Sequence, residues 1–420
     1  MKHPFRALLN RLTASASSKV ALGSVLGHAV SLLAMPLVAR IYGPDAVGVF
    51  ATCLAVATIV GSVIALRLER VLALPADDSD AACLAVGGVV TAFCFSVFGA
   101  VFGVVVVLLR FDFSVVATVG TALLAFLTAV GAVLLQYAVR SRSYAVVARR
   151  NALQPTVTAV GQVLGGLIAS GSLPLIAAAA VGKVAGLILP LRLVISDLNW
   201  NGVGSFLSQF GCLLSRYREL IVLGSVAGLA NTASLQILVP ITGFYFSDGD
   251  AGIVAMSVMI FSAPIVVIAN AVGQVFLGNF SHSVRNSLGN ASQVFVRASI
   301  RLAAMGVALG LFIALLAPVV LPVLLGEQWG NVVGVSIALA PLFAVRFAVS
   351  PLAHTLVVLE RQGWQLALDA SRLAGIISVF MLSSELGLSL MLCIFVYACW
   401  SSLAYLVQWL LCWRAVRAGI

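Results

Sequence analysis

Long apolar runs, separated by short polar or basic gaps, fill most of the chain. Many of these runs reach the roughly 20 residues with which an α-helix crosses about 30 Å of hydrocarbon. Run length and interrupting charge together predict about twelve membrane spans. These are residues 19–40, 45–66, 82–109, 113–138, 152–170, 173–195, 219–242, 251–277, 298–325, 331–357, 366–384 and 387–412.

The first two spans contain a pattern that recurs in the second half. The stretch Ala21–Leu66 holds a proline-bent helix, the turn IYGPDAVG and a second apolar helix, and Leu238–Gly273 repeats this order. Such a repeat predicts two similar six-helix bundles. Residues 1–197 would form the N-terminal bundle, and residues 198–420 a connector plus the C-terminal bundle. Pro240, Gly252 and Ala255 each follow Pro36, Gly48 and Ala51 by 204 positions (240 − 36 = 204), and the two prolines are the predicted hinges.

Composition excludes a soluble protein. Hydrophobic residues make up 62% of the chain and charged residues 9%, whereas soluble domains carry about 25% charged residues. The runs are also too long and too uniform for the alternating strands of a membrane β-barrel. The predicted fold class is therefore an all-α, polytopic membrane protein.

The net charge of +10 fits membrane topology better than nucleic-acid binding, because the basic residues are scattered singly between apolar runs. With the N-terminus inside, twenty Lys and Arg residues fall on the cytoplasmic side, and only Arg40 and Arg110 fall on the outer side. This asymmetry predicts that both termini are cytoplasmic. The mixed segment from Ser196 to Arg218 is amphipathic and is predicted to be an interfacial connector between the bundles.

Two cations remain near the middle of predicted spans, Lys183 in the sixth and Arg346 in the tenth. A charge at this depth costs about 2.5–3.5 kcal/mol on insertion scales. No acidic residue lies at mid-depth, and the nearest, Asp369, is close to a cytoplasmic end. Both cations therefore indicate a cavity for an anionic ligand. The alternative is pairing with Asp369, with backbone carbonyls or with lipid phosphate.

Several polar residues are candidates for the same cavity. His28 lies mid-span in the first helix; it is either a hydrogen-bonded packing residue or a group that senses or carries protons. Other polar residues within spans could line the cavity or bond across helices. These are Asn231, Asn270 and Gln274.

Four arginines surround the short segment SYAVVA and are either simple positive-inside anchors or a cytoplasmic entrance patch for phosphate-bearing headgroups. They are Arg140, Arg142, Arg149 and Arg150.

The chain carries no pattern typical of an enzyme. It has no nucleophile motif, no phosphate-cradling loop, no zinc-binding HExxH and no pair of carboxylates within a span. The seven cysteines form no CxxC pair, so we predict neither a metal nor another cofactor. Transport would then use the substrate gradient or an ion gradient, with H⁺ and Na⁺ both open.

The segments PLVARIYGPDAVGVFA, IALRLERVLALPADDSDA, FSAPIVVIANAVGQVFLGNFSHS and LLGEQWGNVVGVSIALAPLFAVRFAVSPLAHTLVVLERQ carry a family resemblance. In order and spacing, the chain resembles the polysaccharide-biosynthesis and O-antigen flippases (Wzx-type) of the MOP superfamily. The resemblance implies two six-helix bundles around a cationic central cavity and transport by alternating access.

The implied substrate is an undecaprenyl-diphosphate-linked oligosaccharide, moved from the inner to the outer leaflet of a bacterial cytoplasmic (inner) membrane for surface polysaccharide synthesis. Membrane lipids, a polysaccharide polymerase and a chain-length regulator are the expected partners of a monomeric protein. A multidrug or organic-cation antiporter of the same fold is the main alternative, and a lipid II flippase is a nearer one. We expect Arg346→Ala to abolish transport and to leave the protein in the membrane.

Overall fold

The computed structural model describes residues 16–110, 114–197, 203–286, 288–359 and 361–418. Within these ranges all regular structure is helical. The helices of the first half are α1 (Ala16–Ile41), α2 (Pro44–Gly61), α3 (Leu68–Val71), α4 (Asp78–Arg110), α5 (Val115–Arg140), α6 (Tyr144–Ile168), α7 (Ser172–Asp197) and α8 (Val203–Arg216). Those of the second half are α9 (Arg218–Gln236), α10 (Leu238–Tyr245), α11 (Asp248–Asn286), α12 (Leu288–Leu325), α13 (Val332–Val349), α14 (His354–Val358), α15 (Gln362–Glu385) and α16 (Leu390–Ala418).

Nine of the described helices are long and apolar enough to cross a membrane, and the bent pair α9–α10 makes a tenth candidate. Helices α6 and α11, which this criterion does not select, have 25 and 39 residues. At about 1.5 Å per residue both are long enough to cross the hydrocarbon core. Twelve helical segments therefore match the twelve predicted spans in order.

The chain forms two compact units. The first contains Met1–Tyr42 and Val49–Thr232, and the second contains Gly43–Gly48 and Ala233–Ile420. Helix α2 begins in the second unit and continues in the first. This grouping by contacts puts α8 and most of α9 with the first unit, whereas the predicted domain boundary lies at residue 198; that boundary stays a prediction.

In the first unit, α5 is the central helix, and it packs against α4 and α7. Its buried side chains include Leu127, Val130 and Leu134, at i, i+3 and i+7. This spacing places the three side chains on one face of a helix. The opposite faces of the outer helices expose large apolar side chains, as lipid-facing surfaces do.

The second unit is built on α13, which packs against α11, α12 and α16. Its core includes the buried aromatic side chains of Phe295, Trp329, Phe343 and Phe380.

The predicted proline bend at Pro240 is present. The axes of α9 and α10 differ by 59°, and Pro240 lies in the first turn of α10. Proline has no backbone N–H and is tolerated in the first turn of a helix but not in its interior. Pro36, by contrast, lies inside the continuous helix α1. Whether either proline acts as a hinge stays a prediction.

The connector contains the predicted amphipathic helix, α8, which packs on the start of α4. Phe210 lies against Gly87, where an added Cβ would overlap its ring. Gln209 Nε2 donates a hydrogen bond of 2.7 Å to Asp80 Oδ1. Residues 198–202 of the predicted connector lie outside the described ranges.

Candidate functional site

Helix α6 is held tightly between α1 and α7 by glycines. An added Cβ on Gly27 of α1 would overlap the carbonyl oxygen of Asn151 and lie 2.6 Å from Pro155 Cγ. On the other side, an added Cβ on Gly186 of α7 would lie 3.0 Å from Gln154 Cβ. Such close approach needs small residues, which the Gly23/Gly27 and Gly182/Gly186 pairs supply.

A cavity of about 280 Å³ lies between α1 and α6, inside the first unit. The lining residues of α1 are at i, i+4 and i+7 and those of α6 at i, i+1, i+4 and i+5, so each helix lines the cavity with one side. None of the described residues that line the cavity is acidic. The lining residues are Ser24, His28 and Ser31 from α1 and Arg150, Asn151, Gln154 and Pro155 from α6.

Hydrogen bonds fix the polar groups at the α1 side of this cavity. Asn151 Nδ2 donates to Ser24 Oγ at 3.0 Å, and Ser24 Oγ donates to the carbonyl oxygen of Val20 at 3.0 Å. His28 Nδ1 lies 2.7 Å from the carbonyl oxygen of Ser24. Since a carbonyl can only accept, Nδ1 carries the hydrogen and the neutral ring keeps Nε2 as an acceptor.

Arg150 is the permanent cation of the cavity. Its Nη1 donates to Asn151 Oδ1 at 3.3 Å, and an added Cβ on Gly131 of α5 would lie 3.2 Å from Nη2. Its Nε is buried and has no hydrogen-bond partner. No ion pair to Arg150 occurs in the described part of the chain. A buried donor without a partner costs free energy, and the positive charge of the guanidinium suits an anionic ligand in the cavity.

Lys183 lies beside Arg150 but does not line the cavity. Its Nζ donates to Thr128 Oγ1 at 2.9 Å, and Thr128 Oγ1 donates in turn to the carbonyl oxygen of Leu124 at 2.6 Å. Arg150 is the charged group that acts on Lys183 electrostatically. Lys183 has no carboxylate partner among the described residues.

The remaining predicted cavity residues lie elsewhere. Arg346 is half-buried on α13 of the second unit, and it forms no ion pair within the described ranges. Gln274 of α11 is exposed, and Asn231 of α9 is half-buried. Asn270 belongs to α11, but its side chain lies outside the description.

Asp369, the predicted alternative partner of the mid-membrane cations, is bound within a different cluster. Its Oδ1 lies 3.8 Å from Arg372 Nη1, and both side chains are almost fully buried. Gln365 Nε2 also donates to both carboxylate oxygens of Asp369, at 3.2 and 3.1 Å.

The four arginines of the predicted entrance patch have different environments. Arg140 donates to the carbonyl oxygens of Leu72 and Pro75, at 3.0 and 2.8 Å, and pairs with the Asp78 carboxylate at 2.9 Å. It therefore ties the loop before α4 to the end of α5. Arg142 and Arg149 are exposed, and only Arg150 lines the cavity.

Sequence reasoning missed Ser24, Ser31, Asn151 and Gln154. A signal for them exists, because polar residues at positions 24, 28 and 31 mark one stripe on α1. The matching stripe on α6 is short and lies next to two arginines, which the positive-inside pattern explains equally well. As to metals, no group of three or more His, Cys, Asp or Glu side chains comes together among the described residues.

Comparison with known proteins gives two kinds of match. A family model described as "Polysaccharide biosynthesis protein" matches residues 37–334. A search of curated protein sequences gave no match.

Solved structures with the same fold are MATE transporters. An inward-facing multidrug resistance MATE transporter of the MOP superfamily superposes with a TM-score of 0.63 and 14% identity, covering 96% of this chain and 99% of the other. An outward-facing MATE structure gives 0.57 and 14%, with 98% of each chain covered. A eukaryotic MATE transporter gives 0.54 and 13%, covering 99% and 98%. The predicted all-α fold of the MOP type is confirmed.

Proposed function

Since the chain belongs to the polysaccharide biosynthesis protein family and has the transporter fold of the MOP superfamily, we propose that it is a flippase for lipid-linked oligosaccharide. The proposed substrate is an undecaprenyl-diphosphate-linked oligosaccharide of a bacterial inner membrane. The protein moves it from the cytoplasmic to the outer leaflet for surface polysaccharide such as O-antigen or exopolysaccharide.

The cavity at Arg150 is the observation that supports a diphosphate substrate. A guanidinium with a buried, unpartnered Nε lies beside a second cation, Lys183. Guanidinium groups bind phosphate oxygens through charge-assisted, often bidentate hydrogen bonds. Asn151, Gln154 and Ser31 add neutral polar groups to the lining, and such groups suit the hydroxyls of a sugar.

The proposed mechanism involves no covalent chemistry. The diphosphate and the first sugars enter the polar cavity while the lipid tail stays in the bilayer. Binding to Arg150 offsets the desolvation of the phosphates, which is the main cost of moving them through hydrocarbon. A change between inward-open and outward-open states then exposes the headgroup to the other side, with Pro36 and Pro240 as the proposed hinges and Arg346 as a further phosphate contact.

The lining of the cavity argues against the organic-cation alternative. Binding an organic cation in a membrane interior calls for a buried carboxylate or an aromatic face. The described lining has neither, and it contains an arginine that would repel a cationic drug.

The test compares two adjacent arginines of α6. Arg150 lines the cavity, whereas Arg149 is exposed. Proteoliposomes carrying the purified protein and undecaprenyl-diphosphate-linked oligosaccharide report translocation through the access of an impermeant glycosidase. We expect Arg150→Gln to reduce the rate at least tenfold and Arg149→Gln to change it less than twofold. Arg346→Ala is expected to abolish transport.

Three outcomes would contradict the proposal. One is a wild-type protein that leaves the lipid-linked oligosaccharide in place. Another is equal transport by the wild type and the Arg150→Gln protein. The third is faster translocation of lipid II than of a surface-polysaccharide intermediate, which would assign the protein to the lipid II flippases instead.

A further inference from the structure

The cavity between α1 and α6 holds some of its polar groups in bonds within the protein. Ser24 Oγ accepts from Asn151 Nδ2 and donates to a backbone carbonyl of α1. Asn151 Oδ1 in turn accepts from Arg150 Nη1 at 3.3 Å. Ser24 and Asn151 therefore serve mainly to join the two helices, and contact with a ligand falls to the other lining residues.

Arg150 lines the cavity and offers hydrogen-bond donors only. A guanidinium has five N–H groups and no acceptor, and it binds phosphate oxygens of any ester. The headgroups of ordinary phospholipids also carry a phosphate. Arg150 by itself therefore does not distinguish a glycosyl phosphate from the lipids of the same membrane.

His28 offers the opposite chemistry, and its side chain is exposed in the cavity. Its Nδ1 lies 2.7 Å from the carbonyl oxygen of Ser24, one turn earlier in α1. Nδ1 therefore carries the hydrogen, and Nε2 of the neutral ring only accepts. The Ser31 hydroxyl, by contrast, both donates and accepts. Gln154 Oε1 lies against α7, 3.0 Å from the position of an added Cβ on Gly186.

An arginine and a pure acceptor in one cavity select a ligand that carries both an anion and a donor. A sugar attached to phosphate has both, because its hydroxyls donate, whereas a phosphatidylcholine headgroup has no donor. We propose that His28 is a specificity-determining residue, whose Nε2 accepts a hydrogen bond from a hydroxyl of the sugar next to the phosphate that Arg150 binds. This inference rests on the proposed function. It adds that the site prefers glycosyl phosphates to phospholipids through a group that other phosphates leave unpaired.

The experiment measures the binding of glucose 1-phosphate and of methyl phosphate to the purified full chain in phosphatidylcholine nanodiscs. Both probes are phosphate monoesters, and only the first carries sugar hydroxyls. Titration calorimetry at about pH 8, where an imidazole is ordinarily neutral, gives the two affinities. Wild type is expected to bind glucose 1-phosphate about five- to tenfold more tightly, which corresponds to the net contribution of one hydrogen bond.

Variants of His28 separate this hydrogen bond from other contacts of the sugar. His28→Phe keeps a planar ring and removes the acceptor, so the preference for the sugar phosphate should disappear. His28→Leu takes its place should the phenylalanine protein fail to fold. His28→Gln supplies an amide oxygen that can accept the same bond and should keep most of the preference. Arg150→Gln should weaken the binding of both probes.

The outcomes separate the two proposals. Equal affinities of wild type for the two probes would overturn the role of His28, and so would a preference that His28→Phe retains or that His28→Gln loses completely. The proposed function would then still stand, because translocation of the lipid-linked oligosaccharide is measured separately. No binding of either probe by wild type, or binding that Arg150→Gln leaves unchanged, would overturn the anion site and this inference together.

Discussion

Arg372 and Asp369 form a buried ion pair inside the second unit. Their side chains are 4% and 2% exposed, and the charged groups lie 3.8 Å apart. Arg372 Cζ also lies 4.1 Å from the centre of the Tyr405 ring, and its Nη2 is 3.5 Å from Gln408 Oε1. The cluster joins α15 to α16 through side chains that hold each other in place.

Removing one partner of this buried ion pair should lower the free energy of unfolding. In Arg372→Leu the Asp369 carboxylate stays buried without its counter-charge, so we expect a loss of about 3–5 kcal/mol of unfolding free energy. Unfolding of the detergent-solubilised protein, followed by circular dichroism, measures it. Arg414→Leu changes an exposed arginine of α16 and should cost less than about 0.5 kcal/mol.

A double variant separates the pair from simple packing. Asp369→Leu combined with Arg372→Leu removes both charges, and this protein should be more stable than Arg372→Leu alone. If the double variant is instead the less stable of the two, the residues contribute through packing and the ion-pair account is wrong.

Single residues also show how far the sequence leads to the candidate site. A charge in the middle of an apolar run is visible without a structure, so Lys183 and Arg346 could be singled out. Thr128 could not, because threonine is ordinary in membrane helices, and Asn151 could not, because it lies one residue before the predicted span 152–170. The sequence predicts Arg150 only as one of the four arginines of the entrance patch, since spacing alone does not reveal which residue at a helix start points inward.

At the scale of elements, the contact between α1 and α6 builds the cavity. Gly23 and Gly27 let the backbones approach, and an added Cβ at either position would overlap a backbone carbonyl of α6. The same sequence pattern on α4 behaves differently, because Gly99 is exposed and has no atoms within 4 Å of its would-be Cβ.

Gly27→Leu should therefore force α1 and α6 apart. We expect a loss of about 1–3 kcal/mol in stability, typical of an overpacked contact, together with a loss of transport. Gly99→Leu is the matched control and should be neutral or stabilising, because leucine favours a helix over glycine. Thermal unfolding and the proteoliposome assay measure both variants. Similar losses of stability and transport in the two variants would mean that Gly27 is not needed for the close approach of α1 and α6.

Two features of the helices could be predicted from the sequence, namely the positions of the spans and the bend at a proline. Span positions depend on run length, which the sequence displays, and the bend between α9 and α10 follows from Pro240. The sequence does not predict how far each helix extends beyond the hydrocarbon core. Helix α11 continues to Asn286 and α12 begins at Leu288, whereas the predicted spans end at residue 277 and begin at residue 298. The residues between these positions are largely polar, so they give no hydrophobic signal for the helix ends. Helix propensity continues through such polar stretches without a hydrophobic signal.

The sequence repeat has a counterpart at the scale of the whole molecule. Gly48 and Gly252, which are 204 positions apart, approach each other within the second unit. An added Cβ on Gly48 would overlap the carbonyl oxygen of Asp248, and one on Gly252 would overlap that of Pro44. Since Asp248 is also 204 positions after Pro44, the two segments make the same contact reciprocally. Reciprocal contact is what a local two-fold relation between repeated segments produces.

This reciprocity makes a quantitative prediction. Gly48→Leu and Gly252→Leu each place a side chain against the equivalent carbonyl, so both should destabilise the protein by a similar amount, about 1–3 kcal/mol. Gly249 is the control, because an added Cβ there would lie 2.8 Å from Asp45 Oδ1, the movable end of a side chain. Gly249→Leu should cost less than either. Unfolding of the three variants by the same method provides the comparison. A large loss of unfolding free energy in Gly48→Leu with none in Gly252→Leu would contradict this prediction. The two segments would then be alike in sequence without contributing equally to the packing.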